Sequence, residues 1–395
     1  MKIPALTLLA TLAVAPLARS QNGIELSSHD GFWRFGLRPT LELTYWHSDT
    51  PLPGLLNFTG TDFFAPRLSL GFTVMAGDEW LLHVLTRWDR GFEVGVRPDG
   101  DFRIDEAFLR WRPLGDGRLN VTLGKFATCF GNWVPRHGFW DDPFLMPPLP
   151  YDNLLAVNNR NAGSPSAAAI ATRTTGKRVW VPMIWGPVYS TGVSLSGSTG
   201  LWDYAVEVKN ASLVSQPDDW NPTEENGSHP TVTGRVGFRP DAAWSFGLSA
   251  SHGNYLRHDA ERTLPAGAER GDFTHCMIGA DVRWSHHQFQ VLGEVLASRS
   301  RMVTAGDLDA LGYYVEGRWK VNGTLFLAAR WAQQWNDDFA PAPSSSVRGY
   351  TREVWRATAA AGFRITENVL VKTEYSYNGG DAKENAFAVG IGLKF

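Results

Sequence analysis

The chain has 395 residues with a formal net charge of -3 and two cysteines, and it is rich in Trp (17), Phe (22), Tyr (10) and Gly (40). So weak a charge implies no nucleic-acid partner. Cys129 and Cys276 are too far apart for a zinc knuckle, a CxxC redox pair or a CxxCH haem attachment.

Lys2, the apolar run from Leu6 to Val14 and the small residues of Ala18-Arg19-Ser20 read as a signal peptide over residues 1–20, with Gln21 the first mature residue. The run is shorter than the ~20 apolar residues that a membrane helix needs. No later stretch reaches that length, and mean hydropathy is -0.21.

From Phe32 onward the chain alternates. Trp33, Phe35, Leu37, Leu41, Leu43 and Tyr45 share one parity, and Arg34, Arg38, Glu42 and Thr44 the other. A period of two with one apolar side is a half-buried strand. The pattern returns in Leu68 to Val74, Trp202 to Val208, Leu311 to Trp319 and finally Phe387 to Phe395.

Short connections (76–79, 113–117, 198–200, 240–243, 285–287, 321–323, 366–368) alternate with long ones (48–66, 90–101, 127–187, 210–230, 253–272, 299–309, 336–352, 378–385). That rhythm belongs to transmembrane antiparallel β-barrels of the bacterial outer membrane, and it predicts an all-β fold of about sixteen strands with both ends on the short-turn side. The apolar piece 179–185 would make the count odd, so it is placed within the long connection. Domain organisation is therefore a leader, 1–20, and one barrel, 21–395.

Aromatics support the assignment. Trp33, Trp80, Trp111, Trp202, Trp244, Trp284, Phe289, Trp319 and Phe363 are outward by parity and adjoin short turns, as a girdle at the lipid headgroups does. Tyr45, Trp88, Tyr313, Trp331, Trp355 and Tyr375 outline a second girdle. Outward mid-strand charges are nearly absent; Lys125 and Glu353 are exceptions close to the long connections.

The inward parity carries Arg34, Arg38, Arg67, Arg87, Arg110, Arg235, Arg283, Arg318, Arg330, Arg356 and Lys372 against Glu42, Glu106, Asp203, Glu207, Asp281, Glu294, Glu316 and Glu374. Such a wall keeps the lumen wet, and its modest basic excess favours anions if solutes pass. The plainer reading is that the charges pair across strands.

The connection 127–187, after strand 5, is too aromatic and apolar for disorder. Folded into the lumen as a constriction loop, it would bury its Phe, Trp and Leu side chains and line a narrowing with Arg136, His137, Asp141, Asp142 and Asp152. Ser190, Gly192, Ser194 and Ser196 on the next strand would leave room for it.

Residues 104–111 (IDEAFLRW) and 119–131 (LNVTLGKFATCFG) resemble the paired strands before the constriction loop of bacterial porins, most closely the phosphate-selective porin O/P group and related general porins. The resemblance implies a homotrimeric outer-membrane channel for passive diffusion of small hydrophilic solutes, bounded by lipid. Cys129 stands where proline is usual and the loop lacks a lysine cluster, so phosphate does not carry over. The stretch Phe387 to Phe395 also resembles the signal by which the barrel-assembly machinery recognises its clients.

Two other functions are weighed. His137 with Asp141 and Asp142 resembles the rim of outer-membrane proteases, but no GxSxG, HExxH or Walker motif accompanies it, so neither a catalytic residue nor a cofactor is assigned. His286-His287 reads as a solvated turn rather than a metal site. A barrel could instead sheathe a periplasmic partner such as a multihaem cytochrome, in which case its lumen would be free of the loop.

Overall fold

The structure, a computed structural model, describes residues 18–20, 23–49, 62–89, 101–163, 180–215, 229–303, 306–337, 353–380 and 383–395. Most of the leader, 1–17, lies outside them.

Sixteen antiparallel strands form the wall: β1 (Trp33–Ser48), β2 (Asp62–Ala76), β3 (Trp80–Asp89), β4 (Asp101–Trp111), β5 (Asn120–Phe126), β6 (Ser190–Thr199), β7 (Trp202–Lys209), β8 (Thr231–Phe238), β9 (Trp244–Asn254), β10 (Thr274–His286), β11 (Phe289–Met302), β12 (Gly306–Lys320), β13 (Leu325–Asn336), β14 (Glu353–Thr366), β15 (Val369–Gly380) and β16 (Glu384–Lys394). Each pairs with its neighbour in sequence, and β16 closes on β1 from Ala386↔Ser48 to Lys394↔Thr40. Closure leaves no unpaired edge, the condition for a sheet to stand in hydrocarbon.

The seam has a second component. The lower half of β1 runs past the end of β16, and a short strand, Gly23–Ser27, pairs there from Ile24↔Leu37 to Ser27↔Arg34. The backbone amide of Phe395 donates to Pro39 O at 3.2 Å, where one partner gives way to the other. Gly23 permits the approach, since a Cβ there would stand 2.4 Å from Leu37 O.

The outward parity is the exposed one: Leu70, Phe72, Val206, Val208, Val315 and Phe387 all face out. At the short-turn end the aromatic girdle packs across strands, with Trp80 stacked on Trp111 at 5.7 Å and Phe289 on Trp319 at 6.1 Å. Near the other end Trp331 stacks on Trp355 at 5.0 Å. A closed barrel with an apolar, aromatic-rimmed outer face and a charged interior is a membrane-spanning wall.

Three details depart from the sequence reading. Residues 299–309 are mostly ladder rather than loop, because β11 runs to Met302 and β12 starts at Gly306. Their charges resembled a loop, yet Arg299 faces out at the strand end and pairs with Asp309 at 2.5 Å. Lys125 is no outward exception: the backbone takes φ +128° at Gly124, and Lys125 is buried, 3% exposed. A register shift between Leu85 and Thr86 inserts an extra residue into β4. Such a bulge interrupts alternation, and Asp105 is buried beside Glu106, bonded to Arg103 at 2.8 Å.

Candidate functional site: the loop-filled lumen and its turn-side cavity

Between β5 and β6 the described residues 127–163 and 180–189 pack inside the wall. They include a 3-10 turn (Val134–Arg136), a short helix (Leu149–Asp152) and a two-stranded ribbon, Leu154–Asn158 with Trp180–Pro182. Phe130, Trp133, Met146, Leu149, Tyr151, Leu155 and Ile184 are buried in a core shared with Tyr314 and Ala332 of the wall. Tyr255, Leu256 and Phe273, from the connection between β9 and β10, join the same core. The piece 180–185 thus lies in the loop and adds no barrel strand.

Room for the loop comes mainly from glycines in strands across the lumen. A Cβ at Gly279 would lie 3.0 Å from the Phe130 ring, one at Gly312 2.9 Å from Pro150, and one at Gly392 2.5 Å from Phe139.

Wall charges hold this segment in place. Glu294 accepts the amides of Asn132 and Trp133 and the Tyr151 hydroxyl, the last at 2.8 Å. Glu374 accepts the Met146 amide at 3.1 Å. Lys372 donates to the carbonyls of Asp142 and Phe144, both at 3.0 Å. Arg330 bridges Glu316 at 2.9 Å, Asp142 at 3.2 Å and Met146 O at 2.7 Å. Arg356 reaches Asp152 at 2.6 Å, Pro147 O at 3.1 Å and Asn378 at 2.7 Å.

The expected lumen wall therefore divides. Glu294, Glu316, Arg330, Arg356, Lys372 and Glu374 are buried beneath the loop and anchor it rather than meeting water. Arg87 is also buried, within 3.2 Å of Asp105, and Glu106 is 3.5 Å from His83. Arg67 is partly open and pairs with both Glu42 and Asp89, at 3.2 and 2.7 Å. Arg110 contacts Thr122 at 3.2 Å. Toward the short turns, Arg34 is exposed and reaches Asp78 at 2.8 Å; Arg38 is exposed as well. Alternation does not distinguish a charge facing water from one facing a folded loop.

The five loop residues divide too. Arg136 and Asp141 line a cavity, whereas Asp142 and Asp152 are buried, the latter completely. Burial opposes ionisation of Asp142, but Arg330, Arg136 and Lys372 together hold its carboxyl below the ordinary range. It also accepts from Trp133 Nε1 at 2.8 Å. His137 donates from Nδ1 to Val134 O at 2.5 Å and accepts at Nε2 from the Tyr189 hydroxyl at 3.0 Å. His137 and Asp142 thus both serve to fold the loop, whereas Asp141 faces the cavity.

Burial pushes the His137 imidazole below its ordinary 6.5, and Arg87 acts in the same direction against the pull of the Val134 carbonyl, Glu106 and Asp105. A histidine with a depressed folded pKa contributes full stability above its unfolded value and loses it as pH falls. Docking of the loop should consequently weaken as pH falls below 6.5. Single-channel recordings should show rising current noise in that window, and His137→Gln should abolish the dependence.

Under the loop, toward the short turns, lies a cavity of ~1430 Å³. Asn132, Arg136, Trp140 and Asp141 form its roof, and β5 to β12 together with β14 supply its sides. Seven basic side chains line it against four acidic ones. Lys320 and Arg364, which sequence reasoning did not single out, are among them; they sit at strand ends, where alternation fades.

With this geometry the fold can be compared with solved structures. The outer membrane channel DcaP of Acinetobacter baumannii is 13% identical, with 95% of this chain and 100% of that chain covered at a TM-score of 0.59. OmpT of Vibrio cholerae, folded in vitro and in its trimer form, is 10% identical over 92% and 99% at 0.55. The anion-selective porin from Comamonas acidovorans is 9% identical over 92% and 100% at 0.54. No protein-family model and no curated protein matches the chain. At these identities the likeness is one of fold: the chain has the sixteen-strand barrel architecture of the porins of the bacterial outer membrane.

Proposed function

We propose that the protein is a passive outer-membrane channel for small hydrophilic solutes and ions, with a mild preference for anions. The observation that carries this reading is the wide polar cavity inside a closed barrel, with its seven basic and four acidic side chains. Low-dielectric walls concentrate such a field and raise the local anion concentration. The loop 127–187 acts as the size filter, with Arg136 and Asp141 at its solvent-facing edge.

The chain assembles as a homotrimer in this reading, a state supported by the trimer form of the similar Vibrio cholerae protein. Residues 1–20 direct export, and Phe395 presents the assembly signal. Burial of loop side chains in the lumen argues against a sheath around a cytochrome, which would need that space. The dispersal of His137 and Asp142 into loop contacts argues against a hydrolase.

Purified protein in a planar bilayer under a KCl gradient tests the reading. Discrete conductance steps are expected, with a reversal potential of the anion-selective sign. A steady absence of steps would reject the channel, and a cation-selective sign would reject the preference.

A further inference from the structure

Many basic groups of the lumen are matched by acids, and four of those that are not line one cavity. Around the turn-side cavity Arg235 pairs with Asp281, Arg239 with Asp203 at 3.2 Å and Arg136 with Glu316 at 2.5 Å. Arg283, Arg318, Lys320 and Arg364, on β10, β12 and β14, line the same cavity and have no ion pair among the described residues.

The geometry points to these four as a binding site for multivalent oxyanions at the short-turn mouth of the lumen. The inference rests on the channel reading and specifies its solute class.

Arg318 is the centre of the site. Its guanidinium lies 4.3 Å from the centroid of the Phe326 ring, which fixes the planar fork while leaving its donors available. Its Nε is buried and has no hydrogen-bond partner. Gln290, beside it on β11, accepts from Arg283 at 3.1 Å through its amide oxygen, orienting a second fork without neutralising it. At Arg364 the ladder register shifts. Asp141, on the loop roof, faces this cluster, whereas Asp142 and Glu316, which also act on Arg318, are already bridged by Arg330.

Four uncompensated cations held together repel one another, a cost that a bound anion removes. A monovalent ion can neutralise only one of them. A solute with two or three carboxylate or phosphate groups can engage several guanidinium forks at once. The cavity can hold such a solute together with its water.

The test uses full-length protein in planar bilayers, with citrate or pyrophosphate added to either side in KCl. One-sided reduction of the current is expected. In the variant R283Q/R318Q/R364Q, the concentration for half-block should rise roughly tenfold or more. Lys320→Gln alone should give a smaller rise, and Arg118→Gln, at a turn residue paired with Asp116, should give none. Heat-dependent migration in gels establishes that each variant has folded. Stronger block by citrate assigns the site to carboxylates, and stronger block by pyrophosphate assigns it to phosphates. A conducting wild type that neither anion blocks, or a folded triple variant blocked like wild type, overturns the site. A wild type with no conductance overturns the channel reading instead.

Discussion

Arg356→Ala is expected to destabilise the loaded lumen by about 3–5 kcal/mol, the cost of leaving a buried charge without its partner. Arg356 is fully buried, and its three contacts join β14 to Asp152, Pro147 and Asn378. Alanine removes the guanidinium from Asp152, itself 0% exposed. Urea titration of the folded barrel should show the lower midpoint. Limited proteolysis should cut within 133–163, which the wild type protects. Pairing the change with Asp152→Asn should recover part of the loss, because it removes the charge that Arg356 faces. If the double variant were no more stable than the single one, the ion pair would not be the origin of the effect.

How much of this was legible in the sequence depends on the range of the interaction. Alternation is local, so Trp33 through Tyr45 and Phe387 through Phe395 declared their faces directly, and the short and long connections supplied the strand number. The position of 127–187 after strand 5 was readable on the same grounds. The partners of the loop were not. Glu294 and Arg330 satisfy the parity of a water-facing wall, and only the fold reveals that Trp133 and Asp142 lie against them.

One signal was available but was read in the wrong place. Room for an aromatic loop was sought in Ser190 to Ser196, next to β5, whereas the close approaches are to Gly279, Gly312 and Gly392 across the lumen. Inward glycines in strands opposite an aromatic-rich loop are the pattern to seek, since a side chain there would occupy the volume of a ring. Asp105 escaped for another reason: a bulge breaks the period of two on which the reading relied.

Deletion of residues 133–152 should act quite differently from Arg356→Ala, although both remove the contact with Asp152. Without this stretch the anchors face water rather than a vacated protein core, so they are hydrated instead of stranded. They are also balanced in sign: Arg330, Arg356 and Lys372 against Glu294, Glu316 and Glu374. The barrel should therefore fold, and conductance should rise roughly twofold or more, because a sixteen-strand wall without a plug encloses an aqueous channel. Ion selectivity should shift further toward anions, since the deletion removes Asp141, Asp142 and Asp152 against the single Arg136 while the cations at Arg283, Arg318, Lys320 and Arg364 remain. Single-channel recording distinguishes the outcomes. A folded deletion variant with the wild-type step size would place this segment outside the conduction path and would leave its packing against β11 to β16 a matter of stability alone.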